Sequence, residues 1–229
     1  MADKTIITGR HAKAADLYAI HTMGIESLRL MENASRAAAE YIAGKHPAGV
    51  PVLILCGVGN NGADGLCIGS LLKEKGYEVS AVTAGSLSKA SEEFLFQKKR
   101  AENAGVPLRT FDGSAELPAP EKPAILVDAV FGIGLRRPVE GLYAEMMEQA
   151  NRMRDRFTEV VAVDVPSGIN ADDGRLMGIA IMADVTVTFG RNKTGLTAGL
   201  GKRYAGEVIV AEIGIPDEAY EKTADNKDI

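Results

Sequence analysis

The chain has 229 residues, a 46% hydrophobic share and a formal net charge of −5. That is long enough and apolar enough for a full core. The acidic balance excludes general nucleic-acid affinity, which needs a basic face, but leaves room for one anionic small ligand held by local donors. The two cysteines, Cys56 and Cys67, exclude a disulfide framework and fit a reducing compartment. No apolar stretch is long enough to span a bilayer and the N-terminus lacks the apolar core of a signal peptide, so a cytoplasmic location with no membrane partner is expected.

The chain opens with two helical patterns, 10–24 and 26–46. In the second, Leu28, Met31, Ala34, Ala38, Tyr41 and Ile42 recur at helical spacing. Alternation follows. Strands are expected at 50–56, 77–83, 124–130, 160–165, 184–189 and 206–214, with helices at 64–75, about 88–104 and 139–154. Several strand runs are apolar throughout, as for strands covered on both faces. Strand–helix–strand order points to a doubly wound, mostly parallel α/β sheet. Beyond Asp164 helices thin out, so the last strands are expected to be antiparallel or joined by long loops. The polar tail, 217–229, is expected to fray. The expected organisation is a single domain: a helical segment about 10–46, a sheet region about 50–216, and that tail.

In such sheets ligands sit outside the carboxyl ends of the strands, which singles out four loops. The first, "GVGNNGADG", fits G-x-G-x-x-G through Gly57, Gly59 and Gly62, and also the frame of a P-loop. Ala63 and Asp64 stand where a P-loop needs Lys and Ser/Thr. The strand that should carry a ribose-binding acid ends "VTAGS", without one. The glycines are expected to admit a ligand to the backbone or to adopt positive φ. Asp64 either caps the next helix or meets a ligand.

The second loop begins with Asp128 in an apolar run, a carboxylate that needs compensation. Gly132, Gly134, Arg136, Arg137 and Pro138 follow; they read as an anion site or as a solvated arginine pair. The third carries Asp164, Ser167 and "NADDG"; there is no G-x-S-x-G elbow, and "NADDG" reads as a turn. All three histidines, His11, His21 and His46, lie in the N-terminal helices, which disfavours a serine triad or a zinc site. What remains is oxygen chemistry: Asn61, Asp128 and Ser167 could hold a hard cation. Asp164 is the first choice for general acid/base work. Lys193, in the fourth loop, could meet a phosphate or carboxylate, or be a surface lysine.

In order, "LMENASRAAAEYI", "GVGNNGADGL", "DAVFGIGLRRPVEG", "VVAVDVPSGINADDG", "ADVTVTFGRNKTGL" and "GEVIVAEIGIP" resemble the NAD(P)H-hydrate epimerase family from about residue 10 to 216. Two departures stand out: Ala63 replaces the second glycine of the usual N-N-G-G-D, and "GRNK" differs from the usual Pro-Lys pairing. The resemblance implies a Rossmann-like three-layer α/β/α sandwich. It implies an isomerase that interconverts the R and S forms of hydrated NADH and NADPH at C6 of the nicotinamide ring, with no redox cofactor. It implies one potassium ion per site, held by Asn61, Asp128 and Ser167. Substrate contacts would be Asn60, Asn61, Gly62, Ala63 and Asp64, then Gly132, Ile133, Gly134, Leu135, Arg136, Arg137 and Pro138, with Asp164. Arg136 and Lys193 would suit the phosphates. A dehydratase partner, free or fused in a longer protein, and a homodimer are also implied. The face of "ASRAAAEYIA" would pack on a second subunit or within its own domain. The rivals are an NAD-dependent oxidoreductase and a non-catalytic nucleotide-binding scaffold of the same fold.

Overall fold

The computed structural model describes residues 6–224. Its main sheet has seven strands: β2 (Pro51–Cys56), β3 (Glu78–Ala84), β4 (Leu108–Phe111), β5 (Ala124–Ala129), β6 (Phe157–Val163), β7 (Val185–Phe189) and β9 (Glu207–Ala211). They lie in the order β4-β3-β2-β5-β6-β7-β9, and every pairing is parallel. A short parallel pair, β1 (Ile6–Ile7) with β8 (Asn192–Lys193), stands apart.

The strands are apolar on both sides because both sides are covered. On β2, Val52, Ile54 and Cys56 join one core cluster; Leu53 and Leu55 join the other. The first face is packed by α2 (Ser27–Lys45), α3 (Asn60–Glu74) and α4 (Glu92–Asn103). The second is packed by α5 (Gly141–Arg152), through Met146, Met147 and Ala150, and by loop residues such as Leu135 and Ile181. The result is the expected three-layer α/β/α sandwich. The alanine face of α2 is spent inside the chain, with Ala38 and Ala39 at 0% exposure in the first cluster.

Several expectations need correction. The last strands are not antiparallel; β6, β7 and β9 continue the parallel ladder. The long-loop alternative holds, because residues 164–184 join β6 to β7 without a helix, and the short α6 (Gly199–Ala205) precedes β9. Edge strand β4 escaped the sequence reading; its "LRTF" is short and half exposed, so no run marks it. Helix α3 begins at Asn60 rather than 64, with Gly59 as N-cap. The tail is not wholly frayed. Residues Asp217–Thr223 form α7, which packs on α1 (Gly9–His21) through Ala219 and Tyr220, with Ala15 and Ala19 opposite. The rest of the expected tail, 225–229, lies outside the described residues.

The α1–α7 contact brings the N-terminal helix over the carboxyl end of the sheet, and His11 Nε2 lies 2.8 Å from the Tyr220 carbonyl. Tyr220→Ala should therefore cost about 2–4 kcal/mol by chemical denaturation, as for a large buried side chain. A frayed tail would give no change.

Candidate functional site

In sheet order the chain reverses direction between β2 and β5, so this is the switch point where a parallel sheet leaves a crevice. A cavity of about 520 Å³ opens there. Its floor is made by the loops after β2, β5, β6 and β7: Val58–Asn61, Val130–Leu135, Asp164, Phe189 and Lys193. Helices α1, α2 and α7 supply the opposite wall, with Asp16, Leu17, Leu30, Met31 and Tyr220. A pocket of this size with mostly apolar walls and a few convergent polar groups suits a small-molecule ligand.

Asp164 leaves β6 in a strained turn. Its φ is 65°, the only positive value at a non-glycine among the described residues. The Val165 N–H donates to the Val163 carbonyl at 2.8 Å, closing a three-residue turn about Asp164. Such backbone costs of order 1–3 kcal/mol and persists where the surroundings over-determine it. The surroundings here are Lys193 Nζ at 2.7 Å, Thr188 Oγ1 at 3.2 Å and the Phe189 N–H at 3.4 Å, all donating to Asp164 Oδ1. Oδ2 is left facing Gly132: a Cβ built on that glycine would lie 3.3 Å from it.

Lys193 is not a surface lysine. It is 1% exposed, and its ammonium donates to Asp164, to Thr188 Oγ1 at 2.9 Å and to the Phe189 carbonyl at 2.7 Å. Those three bonds use its three hydrogens, so the amine holds the carboxylate rather than reaching for a phosphate. This partner of Asp164 lies 29 residues on and is brought to it by the β7 turn.

The first loop is built differently from its glycine pattern. None of Gly57, Gly59 and Gly62 has positive φ. Gly57 and Gly62 are glycine because of the protein's own backbone: a Cβ on Gly57 would meet the Val130 carbonyl oxygen at 2.3 Å, and one on Gly62 the Gly57 oxygen at 1.8 Å. Ala63 is fully buried and points into the core with Leu66 and Cys67, so the extra methyl faces away from the cavity. Asn60 and Asn61 sit in the first turn of α3 and line the cavity, as does Asp64 in the second. Asp64 is therefore not a cap. Burial, then the nearby Asp164 charge, hold its carboxyl well above the usual range, against a hydrogen bond from Ser35 Oγ at 3.4 Å.

Asp128 and Ser167 meet directly. The Ser167 N–H donates to Oδ2 at 2.8 Å and its hydroxyl to Oδ1 at 2.5 Å. Asp128 is 0% exposed, and burial pushes its carboxyl up to about 6. Its hydrogen-bond donors among the described residues are neutral, Ser167 and the Val130 N–H. The Ser167 hydroxyl also accepts from the Phe131 N–H at 2.9 Å. The next residue, Gly132, abuts Asn61: a Cβ there would lie 2.9 Å from Asn61 Oδ1. The Asn61 amide nitrogen is buried without a partner. Three all-oxygen candidates thus converge on the 131–132 turn, around a buried carboxylate lacking a counter-charge. That set of oxygens fits a hard cation.

In the second loop, Gly132, Ile133, Gly134 and Leu135 line the cavity, whereas Arg136, Arg137 and Pro138 lie exposed beyond it. Arg136 is paired with Asp172 at 2.9 Å, and Arg10 with the same carboxylate at 3.2 Å. "NADDG" is a turn, with Asn170 Oδ1 accepting from the N–H groups of Asp172 and Asp173 at 2.8 and 3.3 Å. His46 contacts Glu159 at 2.7 Å. The wall from α1 was missed. Its signal was present: Asp16 interrupts the apolar stripe of Ala12, Ala15, Ala19 and Ile20.

A parallel sheet with a carboxylate-lined cavity at its switch point defines a Rossmann-like α/β protein with a candidate ligand site. The model of the family described as "YjeF-related protein N-terminus" matches residues 27–195. A Limosilactobacillus fermentum protein named NAD(P)H-hydrate epimerase is 45% identical over 90% of this chain and 95% of its own. Its Limosilactobacillus reuteri namesake is 42% identical over 92% and 96%, and that of Oenococcus oeni 37% over 91% and 96%. The crystal structure of yeast ynu0 superposes with a TM-score of 0.80 at 23% identity, covering 95% of this chain and 93% of that one, and so shares the fold. The chain belongs to the family of YjeF-related N-terminal domains.

Two outcomes follow from the geometry. Lys193→Met strands a buried carboxylate and should cost about 3–5 kcal/mol by denaturation, with Asp164→Asn in the same chain recovering part of the loss. Gly62→Ala should cost at least about 2 kcal/mol through its clash with the Gly57 carbonyl, seen as a lowered melting temperature.

Proposed function

We propose that this chain is an isomerase that interconverts the R and S forms of hydrated NADH and NADPH at C6 of the nicotinamide ring. One observation carries the reading: Asp164 is held by Lys193 at the floor of the switch-point cavity, in a chain whose relatives at up to 45% identity are named NAD(P)H-hydrate epimerase.

The chemistry matches the residues. The hydrated carbon bears a hydroxyl and the ring nitrogen, so inversion needs only proton movement that lets one of those bonds open and reclose on the other face. No electrons change hands and no redox cofactor is required. Asp164 is the base: three donors fix Oδ1, and Oδ2 faces the cavity floor at Gly132. The apolar walls exclude water from the opened intermediate. The N-terminus of α3 at Asn60 and Asn61 presents backbone donors to an anionic group of the nucleotide.

Asn61, Asp128 and Ser167 would hold the potassium ion. When bound it would supply positive charge opposite Asp128 and stiffen the 131–132 turn; a weak Lewis acid organises more than it polarises. A dehydratase that acts on one epimer only would then allow both to be repaired, because the other is converted into its substrate. Asn60, Asn61, Asp64 and the 132–135 loop contact the substrate in this reading, while Arg136 and Arg137 stand where a phosphate could reach beyond the cavity.

The test is direct. One purified epimer is incubated with the protein, with and without potassium, and the two epimers are followed by chromatography. The expected result is interconversion well above the spontaneous rate, slower without potassium. Asp164→Asn should lower turnover at least ~100-fold while leaving binding largely intact. Turnover near that of the native protein would remove Asp164 from the chemistry.

A further inference from the structure

Opening a hemiaminal needs two proton movements, one at the hydroxyl and one at the departing nitrogen, so a lone base is half a mechanism. Most cavity groups are unsuited to the second role. Lys193 has spent its hydrogens on Asp164, Thr188 and Phe189. Asp64 receives the Ser35 hydroxyl. The Tyr143 hydroxyl is crowded against Gly85, and burial pushes Tyr220 up to about 12.

Asp16 remains. It sits on α1 in the wall opposite the strand ends, lines the same cavity as Asp164, and is half-buried. It makes no hydrogen bond or ion pair among the described residues, so its carboxyl is left for whatever fills the cavity. We propose that Asp16 is a second catalytic residue, the acid that protonates the ring nitrogen while Asp164 takes the proton of the C6 hydroxyl; this rests on the epimerase reading.

The step balances. Asp164 removes the hydroxyl proton, the oxygen's pair forms a C6=O bond, and the C6–N1 bond breaks with its pair going to nitrogen. Asp16 gives nitrogen its proton. Rotation about C5–C6 presents the other carbonyl face, nitrogen attacks it, and each carboxyl group recovers its original state. Nothing is oxidised or reduced.

The environment keeps the roles apart. Burial first, then the charges of Asp164 and Glu93, raise the Asp16 carboxyl above its ordinary value, against the smaller lowering effects of Lys193 and His21. Asp64 on α3 and Tyr220 on α7 also sense its charge. Asp16 as acid is lost as pH rises through its raised pKa, so the rate should fall on the high-pH side.

Asp16→Asn and Asp16→Glu test this beside the native protein, with epimer interconversion followed by chromatography over a range of pH. Asp16→Asn should lose ~100-fold or more in kcat, keep KM within about threefold, and lose the high-pH limb; Asp16→Glu should restore part of the rate. A native protein that fails to beat the spontaneous rate sinks the epimerase reading and the inference with it. An active native protein with an active Asp16→Asn, or a loss confined to KM, sinks the inference alone. Should Asp16→Asn not fold, Asp16→Glu decides, because its high-pH limb must move; an unmoved limb overturns the assignment.

Discussion

The buried pair of Lys193 and Asp164 is the constraint on which the site turns. An ammonium at 1% exposure and a carboxylate at 7% would each be costly alone. Together, with Thr188 and the Phe189 backbone as further partners, they are satisfied. The pair ties the end of β6 to the turn after β7, and β8 to both. It also holds Asp164 in a left-handed turn that the chain would not choose unaided.

Around this charged pair the cavity is lined by Asp16, Asp64, Lys13, the amides of Asn60 and Asn61, and mostly apolar groups. Asp64 and Asp16 are both pushed toward the protonated form by burial and by Asp164 itself. Asp128 is fully buried, with neutral hydrogen-bond partners only among the described residues. Burial and neighbouring charge bias Asp64 and Asp16 toward carrying a proton, while Asp164 is paired with the Lys193 ammonium. That division is what a reaction made only of proton transfers requires. In the first loop Gly57 and Gly62 serve backbone packing, Gly59 opens onto the cavity, and the informative residues are Asn60, Asn61 and Asp64.

Much of this was legible in the sequence. Apolar strand runs and helical periodicity located the two-sided parallel sheet, because both depend on local spacing. The loops at strand ends, with Asp128, Asp164, Ser167 and the asparagines, stood out because polar residues there interrupt apolar runs. The parallel pairing of β7 and β9 was not legible, since direction is set by the path of the connection and not by strand composition. Nor was β4, whose four residues carry no period. The tail looked polar, yet Ala219 and Tyr220 give α7 an apolar side that packs with Ala15 and Ala19 of α1, Ile7 and Leu30.

The sequence by itself determined the architecture and the chemical inventory: a doubly wound α/β chain with acids and amides at its strand ends and no histidine among them. Only the tertiary structure decided which acid meets which partner. Lys193 reaches Asp164 across 29 residues, Ser167 reaches Asp128 across 39, and Asp16 joins them from a helix at the other end of the chain. Such pairings are invisible to local pattern because charge and burial act through space, and the distances that set them exist only once the sheet has brought its loops together.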